Sequence, residues 1–365
     1  MKISIMKADL ARAVTAAGKA VVAKTTRPIL ECLLIDASTD EVYITGYCDE
    51  MSIKTKTDAR VYEHGLIAVP FKLFHEMAKK MPNDEVVIFA DETYHMHIAS
   101  GKVKFDIAGK DAVDFPKLPI IEEKNTFFVS ENDLKSLVSG VAFAASSNEN
   151  DKMSGINLVL HEGYLKANAL DGFRIAQNSL RLSSGELDMN LIVRSKSLTE
   201  AIKLMGGEDD KQVRISFDKN HISFEFEETM VMSRLMEGEY FNVDRMIKVD
   251  VPTMITTDRS GLGESLERAL LLIKEDDKKI PLIMQNEGML LKLSLKSKIG
   301  ALEEAVMANN NGESVRLGIN PRYLLDIIKV IDNDEIAFGL SKPKAPVLIS
   351  GEGYKYIVLP VNIPA

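Results

Sequence analysis

Tryptophan is absent from this chain of 365 residues, cysteine occurs twice, and aromatic residues make up only 6%. Cys32 and Cys48 lack C-x-x-C or any other metal-ligand spacing, which argues against a disulfide framework, a zinc ribbon and a thiol redox site. They read as small apolar residues in a reducing compartment, and the expected location is cytoplasmic. No apolar run approaches the ~18 residues that a membrane span needs. Lys7, Asp9 and Arg12 interrupt the first segment, so a secretory leader is not expected. An excess of positive charge is missing too: 54 acidic residues outnumber 45 basic ones, a net charge of −9. Proteins that hold nucleic acid by bulk affinity replace phosphate counterions with Lys and Arg, so this balance disfavours that mode. It leaves room for bases gathered on one surface.

Catalytic signatures are absent as well. The sequence has no phosphate-binding G-x-x-x-x-G-K-[ST] loop, no H-E-x-x-H helix, no G-x-S-x-G elbow and no G-x-G-x-x-G fingerprint. His95 and His97 share one strand face and could give two metal ligands, but no third is evident. The acid pairs Asp209-Asp210 and Asp276-Asp277 sit in charged turns and read as solvated charge. No cofactor, no metal and no catalytic activity are expected; a metal-dependent hydrolase using those acids is the enzymatic rival.

What the sequence does have is an internal repeat. Three segments follow one order: an apolar helix, strands joined by a tight turn, a second helix, then strand hairpins. The first helices are DLARAVTAAGKAVV, DLKSLVSGVAFAAS and, more loosely, GLGESLERALLLIK. The second helices span 71–81, 194–205 and 320–331. Their apolar stripes are Phe74, Met77 and Met81, then Leu198, Ile202 and Met205, then Leu324, Ile328 and Ile331. Opposite each stripe, at about 100° per residue, lies a cation pair one heptad apart: Lys72 with Lys79, Lys196 with Lys203, Arg322 with Lys329. In the first helix Arg12 and Lys19 also lie opposite the apolar face. Linker-like stretches at 114–125 and 239–252 place the domains at 1–122, 123–250 and 251–365. The expected class is α+β, with three topologically similar domains, each of two helices packed on antiparallel sheet. Cations concentrated on helices of an acidic chain suggest a basic lining and an acidic exterior.

Several short motifs recur in a fixed order: P-I-L at 28–30, D-F-P at 114–116, D-G-F-R at 171–174, N-P-R-Y-L-L-D at 320–326 and A-P-V-L-I at 345–349. With the repeat, they make the chain resemble the bacterial DNA polymerase III beta subunit, or sliding clamp, family along its whole length. The resemblance implies two chains closed head-to-tail into a ring around duplex DNA, helices inside and sheet outside. It implies phosphate contacts without base reading at Lys24, Lys79, Lys152 and Lys196. The helix-face pattern adds Arg12, Lys19, Lys72, Lys203, Arg322 and Lys329 to the expected DNA-facing set. The resemblance implies a dimer contact of Phe105 and Ile107 against Leu271 and Leu272. It also implies a groove between domains two and three for a short peptide from the replicative polymerase and the clamp loader. Carried over by position, domain two supplies Met153, Leu170, Gly172, Phe173, Arg174 and Ile175 to that groove. The linker supplies Phe241, Arg245 and Met246. Domain three supplies Asn320, Tyr323, Pro346 and the segment Val358, Leu359, Pro360, Val361 and Asn362. Leu170, Phe173, Phe241 and the tail depart from the family pattern toward a more apolar pocket. A repeat scaffold that binds peptide motifs without DNA is the alternative reading.

Overall fold

The computed structural model describes residues 1–82, 84–121, 125–148, 151–182, 187–274 and 280–363. The boundary expected at residue 122, the Asp276-Asp277 pair and the terminal Pro364-Ala365 lie outside the described residues.

Each repeat begins with a short strand that sequence reading did not separate from the helix after it. In repeat one this is β1 (Lys2–Met6), where Ile3 and Ile5 turn inward. Then come α1 (Lys7–Gly18), β2 (Cys32–Ala37), β3 (Val42–Tyr47), β4 (Met51–Thr57), β5 (Ala59–Glu63) and β6 (Gly65–Pro70). The repeat closes with α2 (Phe71–Lys80), β7 (Glu85–Ala90), β8 (His95–Ser100) and β9 (Val103–Ala108). Repeat two runs β10 (Thr126–Ser130), α3 (Glu131–Ala142), β11 (Gly155–His161), β12 (Tyr164–Leu170), β13 (Arg174–Arg181) and β14 (Met189–Arg194). It ends in α4 (Ser195–Leu204), β15 (Gln212–Phe217), β16 (His221–Phe226) and β17 (Thr229–Arg234). A single-turn helix, α5 (Val243–Met246), lies in the connection to repeat three. That repeat runs β18 (Thr253–Asp258), α6 (Arg259–Leu270), β19 (Leu282–Glu287), β20 (Leu290–Lys296), β21 (Ala301–Asn311) and β22 (Arg316–Ile319). It finishes with α7 (Pro321–Ile328), β23 (Glu335–Leu340), β24 (Val347–Gly351) and β25 (Tyr354–Val358).

One main-chain bond recurs in all three repeats. The first residue of each leading helix donates its N–H to the carbonyl just before the strand that follows the second helix. The pairs are Lys7 to Asp84 (3.1 Å), Glu131 to Lys211 (2.9 Å) and Arg259 to Asp334 (2.8 Å). A helix N-terminus leaves its first N–H groups without intrahelical partners, and this carbonyl satisfies one of them.

The chain forms two compact units. One comprises Met1–Leu134 with Lys196–Leu235, the other Lys135–Ser195 with Met236–Ala365. The first holds a five-stranded sheet, β5-β1-β7-β8-β9, and an eight-stranded sheet, β10-β15-β16-β17-β4-β3-β2-β6. Its core joins Leu10, Val14 and Ala17 of α1 to Phe74 and Ala78 of α2 and to the inward residues of both sheets. The second holds one twelve-stranded sheet, β14-β11-β12-β13-β25-β24-β23-β18-β21-β20-β19-β22. Successive repeats are thus joined by main-chain ladders, β17 on β4 and β25 on β13.

The second helices sort as the periodicity predicts. Phe74, Leu198, Ile202, Leu324 and Ile328 are buried, whereas Lys72, Lys79, Lys196, Lys203, Arg322 and Lys329 are exposed. One expectation needs correcting. The third leading helix, expected over 261–274, is shorter, because α6 stops at Leu270. The next three residues form a tighter turn, their N–H groups bonded to the carbonyls of Arg268, Ala269 and Leu270.

Candidate functional site

The D-G-F-R segment is the turn between β12 and β13. The Asp171 carboxylate accepts from the N–H groups of Phe173 (3.0 Å) and Arg174 (3.1 Å), an Asx turn that fixes the backbone locally. Gly172 has φ +88°, a conformation that L side chains rarely adopt, and open space where a Cβ would stand. Glycine is needed here for the turn itself rather than for close approach of another group.

Arg174 is the best-tied residue of the site. It donates to Asp171 Oδ2 (2.9 Å), Asp326 Oδ2 (2.6 Å) and the Phe143 carbonyl (2.5 Å), and its guanidinium lies over the Tyr323 ring at 4.5 Å. Three of its five N–H groups are spent on these acceptors, which tie the fork to its own chain. Its role is to fix α7 and the turn with respect to each other. Phe173, by contrast, is 60% exposed and lies over Tyr323 with ring centroids 6.3 Å apart. Burial pushes the Tyr323 phenol up from its ordinary value, with Asp171 adding in the same direction.

The floor is apolar. Leu170, Ile175 and Ile357 pack with Val243 and Ile247 of the linker, and Met153, Tyr240, Val249 and Leu348 close the edges. Leu170, Ile175 and Val358 are therefore buried beneath the surface rather than lining it. Tyr240 donates its hydroxyl to the Gly155 carbonyl (3.2 Å), and burial raises its phenol well above the ordinary value. Above this floor Phe173, Phe241, Met246 and Leu359 remain exposed. Arg245 is exposed on α5, Pro346 is half-buried, and Asn320 caps α7 by accepting from the Arg322 N–H. Beyond β25, the Leu359 N–H bonds the Phe173 carbonyl (2.9 Å) and the Val361 N–H bonds the Gly318 carbonyl (2.8 Å). Those bonds carry Pro360 between them and leave Asn362 exposed. The arrangement is an apolar surface with a few fixed polar groups, which suits an extended peptide better than a reacting small molecule.

The cationic residues divide into two sets. Lys24, Lys72, Lys79, Lys196, Arg322 and Lys329 make no ion pair among the described residues. Arg12 is paired with Asp9 at 2.9 Å, and Glu200 bridges Lys203 (2.9 Å) and Lys19 (3.7 Å). The long-range pair of Lys19 with Glu200 gave no sequence signal. Lys152 reaches the Glu239 carbonyl at 3.4 Å. Of the contact residues, Ile107 is buried in the core of the first unit with Phe105 packed beside it. Leu271 is 78% exposed. His97 bonds Asp106 across the β8–β9 ladder, which holds its ring above the ordinary imidazole value. No group of three or more metal-ligating side chains occurs among the described residues, and Asp209 accepts from Asn132 at 2.8 Å.

Three family models match in series: the N-terminal domain of the DNA polymerase III beta subunit over residues 1–119, its central domain over 128–242 and its C-terminal domain over 245–362. The chain belongs to the DNA polymerase III beta subunit family. Among curated members it is 28% identical to the beta sliding clamp of Staphylococcus aureus over 357 residues, 94% of each chain. Among solved members it matches a DNA polymerase III beta subunit of Eubacterium rectale with a TM-score of 0.95 and 35% identity, covering both chains fully. The DNA polymerase sliding clamp of Bacillus subtilis matches with a TM-score of 0.95 and 29% identity over the same extent. The threefold α+β architecture and the succession of repeats are those of this family.

Proposed function

We propose that the chain is a DNA sliding clamp, a processivity factor that encircles duplex DNA without reading its sequence and tethers the replicative polymerase to its template. The family match along the whole chain carries this reading. The exposed cations at the same two places on α2, α4 and α7 support it from the residues, because phosphate contacts position a duplex without specifying bases. Encirclement also explains how a chain of charge −9 works on DNA: topology, not net affinity, holds it there. The clamp itself performs no catalysis, and nucleotide hydrolysis belongs to a separate clamp loader. Its domains run 1–122, 123–250 and 251–365, and its place is the bacterial cytoplasm.

The ring is a head-to-tail dimer, and the repeat supplies its register. Val231 of β17 stands opposite Ile53 of β4, and Tyr356 of β25 opposite Ala176 of β13. Counted from their hairpin turns, Val231 and Tyr356 correspond to Phe105 of β9. Ala176 faces Ala169 of β12 just as Leu302 of β21 faces Leu295 of β20. β9 ends its sheet, and residues 301–307 of β21 pair only with β20 among the described residues. A third junction of the same kind sets Phe105 of one copy opposite Leu302 of the next, and Lys104 opposite Glu303. The faces agree, since Phe105 and Leu302 are both half-buried while Lys104 and Glu303 are both exposed. Such a contact is heterologous and makes a ring only if its rotation closes.

The test is retention on DNA. Loaded on nicked circular DNA, the clamp should stay bound in high salt and leave once the circle is cut. Direct phosphate contacts alone would weaken on the order of 10³-fold or more between 50 and 200 mM salt. Retention unaffected by cutting means ordinary electrostatic binding, and no retention at any salt favours a peptide-binding scaffold.

A further inference from the structure

We propose that Gln177 and Asp244 are positioning residues for the peptide groove, and that a ladder of buried amides fixes α5, the helix carrying Arg245 and Met246, through them. The proposal rests on the groove reading above. Asn157, Asn168 and Gln177 are directly opposite one another across β11, β12 and β13, and all three are buried. Their NH2 groups hand on in one direction: Gln177 to Asn168 Oδ1 (3.0 Å), Asn168 to Asn157 Oδ1 (3.1 Å), Asn157 to Asn190 Oδ1 (2.7 Å). The second Asn157 hydrogen meets the Leu191 carbonyl at 3.2 Å, and the second Gln177 hydrogen meets Asp244 Oδ1 at 2.8 Å. Lys166, on the same face of β12 as Asn168, reaches both oxygens of Asp244 at 3.1 and 3.3 Å.

The ladder can run only one way. A flipped Gln177 would turn its carbonyl oxygen toward the Asp244 carboxylate, and that would propagate through Asn168 and Asn157. Burial opposes ionisation of Asp244, but the bonds from Gln177 and Lys166 outweigh it and hold the carboxyl below its ordinary value. An acceptor is therefore present at neutral pH. Around it, Val243 and Ile247 of the same turn pack on Leu170, Ile175 and Ile357. Apolar contact presses α5 onto the sheet but tolerates sliding and rotation. The directional bond at Asp244 removes that freedom and sets where Met246, 43% exposed, stands in the groove. An apolar residue at position 177 would pack on the sheet equally well, which leaves orientation as what the amide adds.

The experiment uses the full chain with Asp244→Ala, Gln177→Leu and the double variant. Two quantities are read: amide hydrogen exchange at residues 243–247, and affinity for a fluorescein-labelled peptide carrying the polymerase's clamp-binding segment. Asp244 is largely exposed, so its variant keeps the fold even if Gln177→Leu does not. Each single variant should speed exchange at 243–247 and weaken the peptide about fivefold, roughly the effect of losing one hydrogen bond of ordinary net strength. The double variant should be no worse than Asp244→Ala alone, because Gln177 acts on α5 through that carboxylate. Asp244→Asn, which keeps an acceptor for Gln177, should recover most of the affinity. A merely structural role would change melting temperature and exchange throughout the second unit alike. Unchanged exchange at 243–247 in Asp244→Ala overturns the positioning role. Faster exchange there with unchanged peptide affinity overturns the groove reading on which it rests.

Discussion

The β4–β17 and β13–β25 junctions are built alike and differ in what they show to solvent. In both, the residue that closes a turn accepts a 2.9 Å main-chain bond from the end of the neighbouring strand: Glu50 from Arg234, the last residue of β17, and Phe173 from Leu359, just past β25. In the first junction those residues are an acid and a base; in the second they are two exposed apolar side chains. The next residue is Met51 in one and Arg174 in the other, and only Arg174 gathers Asp171, Asp326 and Tyr323 around it. The linkers differ as well. Phe115 packs with Cys32 of β2 and Ala68 of β6, away from the first junction, whereas Tyr240, Val243 and Ile247 cover the second and carry α5. The ladder joins the repeats in either case; side chains alone give the second junction its exposed apolar surface.

The strongest way to break the comparison is to attack the third junction that the proposed ring requires between copies. Leu271→Glu alters a residue 78% exposed in the single chain, so folding should survive. A charge driven into a dry contact costs about 3 kcal/mol, a hundredfold or more in dimer affinity. Sedimentation should then find the 40.5 kDa chain where the wild type gives twice that mass. A wild type that sediments as a monomer at micromolar concentration would sink the ring.

Copying the first junction into the second comes next. Arg174→Met leaves Asp171 and Asp326 without their partner and should lower stability by about 3 kcal/mol in denaturant titration. A loss under about 1 kcal/mol would mean that water replaces the guanidinium at little cost. Phe173→Glu and Leu359→Arg complete the copy at the rim. If the groove holds an apolar anchor, each should weaken a polymerase peptide about tenfold to thirtyfold, since a hot spot contributes ~2 kcal/mol. Dimer mass should not change, because both residues stand at the β13–β25 junction and not on β9 or β21. Removing the tail from residue 359 onward is a less clean test, because Val361 is bonded to Gly318 and its loss disturbs β22 as well.

The smallest effect is a pH dependence at the edge strand. The bond to Asp106 holds the His97 ring above its ordinary value of about 6.5. Its stabilisation is therefore complete below that ordinary value and disappears as pH rises through the raised one. Compared with His97→Gln, the wild type should lose a slight stability advantage from about pH 6.5 upward. A constant difference across that range would show that the pair contributes nothing.

Periodicity made the second helices legible, because a cation pair opposite an apolar stripe survives any choice of tertiary partner. The leading strands β1, β10 and β18 alternate well but are short, and the helices after them absorbed their signal. β21 carries little strand signal in the sequence, because it spends its apolar residues sparingly as an edge should. The groove came from resemblance rather than pattern: Phe173 and Leu359 meet through a main-chain bond that no spacing announces. The amide ladder left a faint trace, since Asn157 and Asn168 are nearly equidistant from the Glu162-Gly163 turn. Only strand register reveals that they face each other. The ion pair of Lys19 with Glu200 spans two repeats and left none.

The carbonyls of Asp84, Lys211 and Asp334 hold the leading helices through peptide atoms that every residue except proline carries in the same form. The spacing of helix and sheet within a repeat therefore does not depend on which side chains cover the helices' outer faces. Lys72 can give way to Lys196 or Arg322 at the corresponding place without moving the scaffold. A lineage can drift through many charge arrangements on that surface while the fold stays neutral to each exchange. Sequences that share less than a third of their residues can on this account keep one backbone, and selection on the helix faces need act only on the total of positive charge.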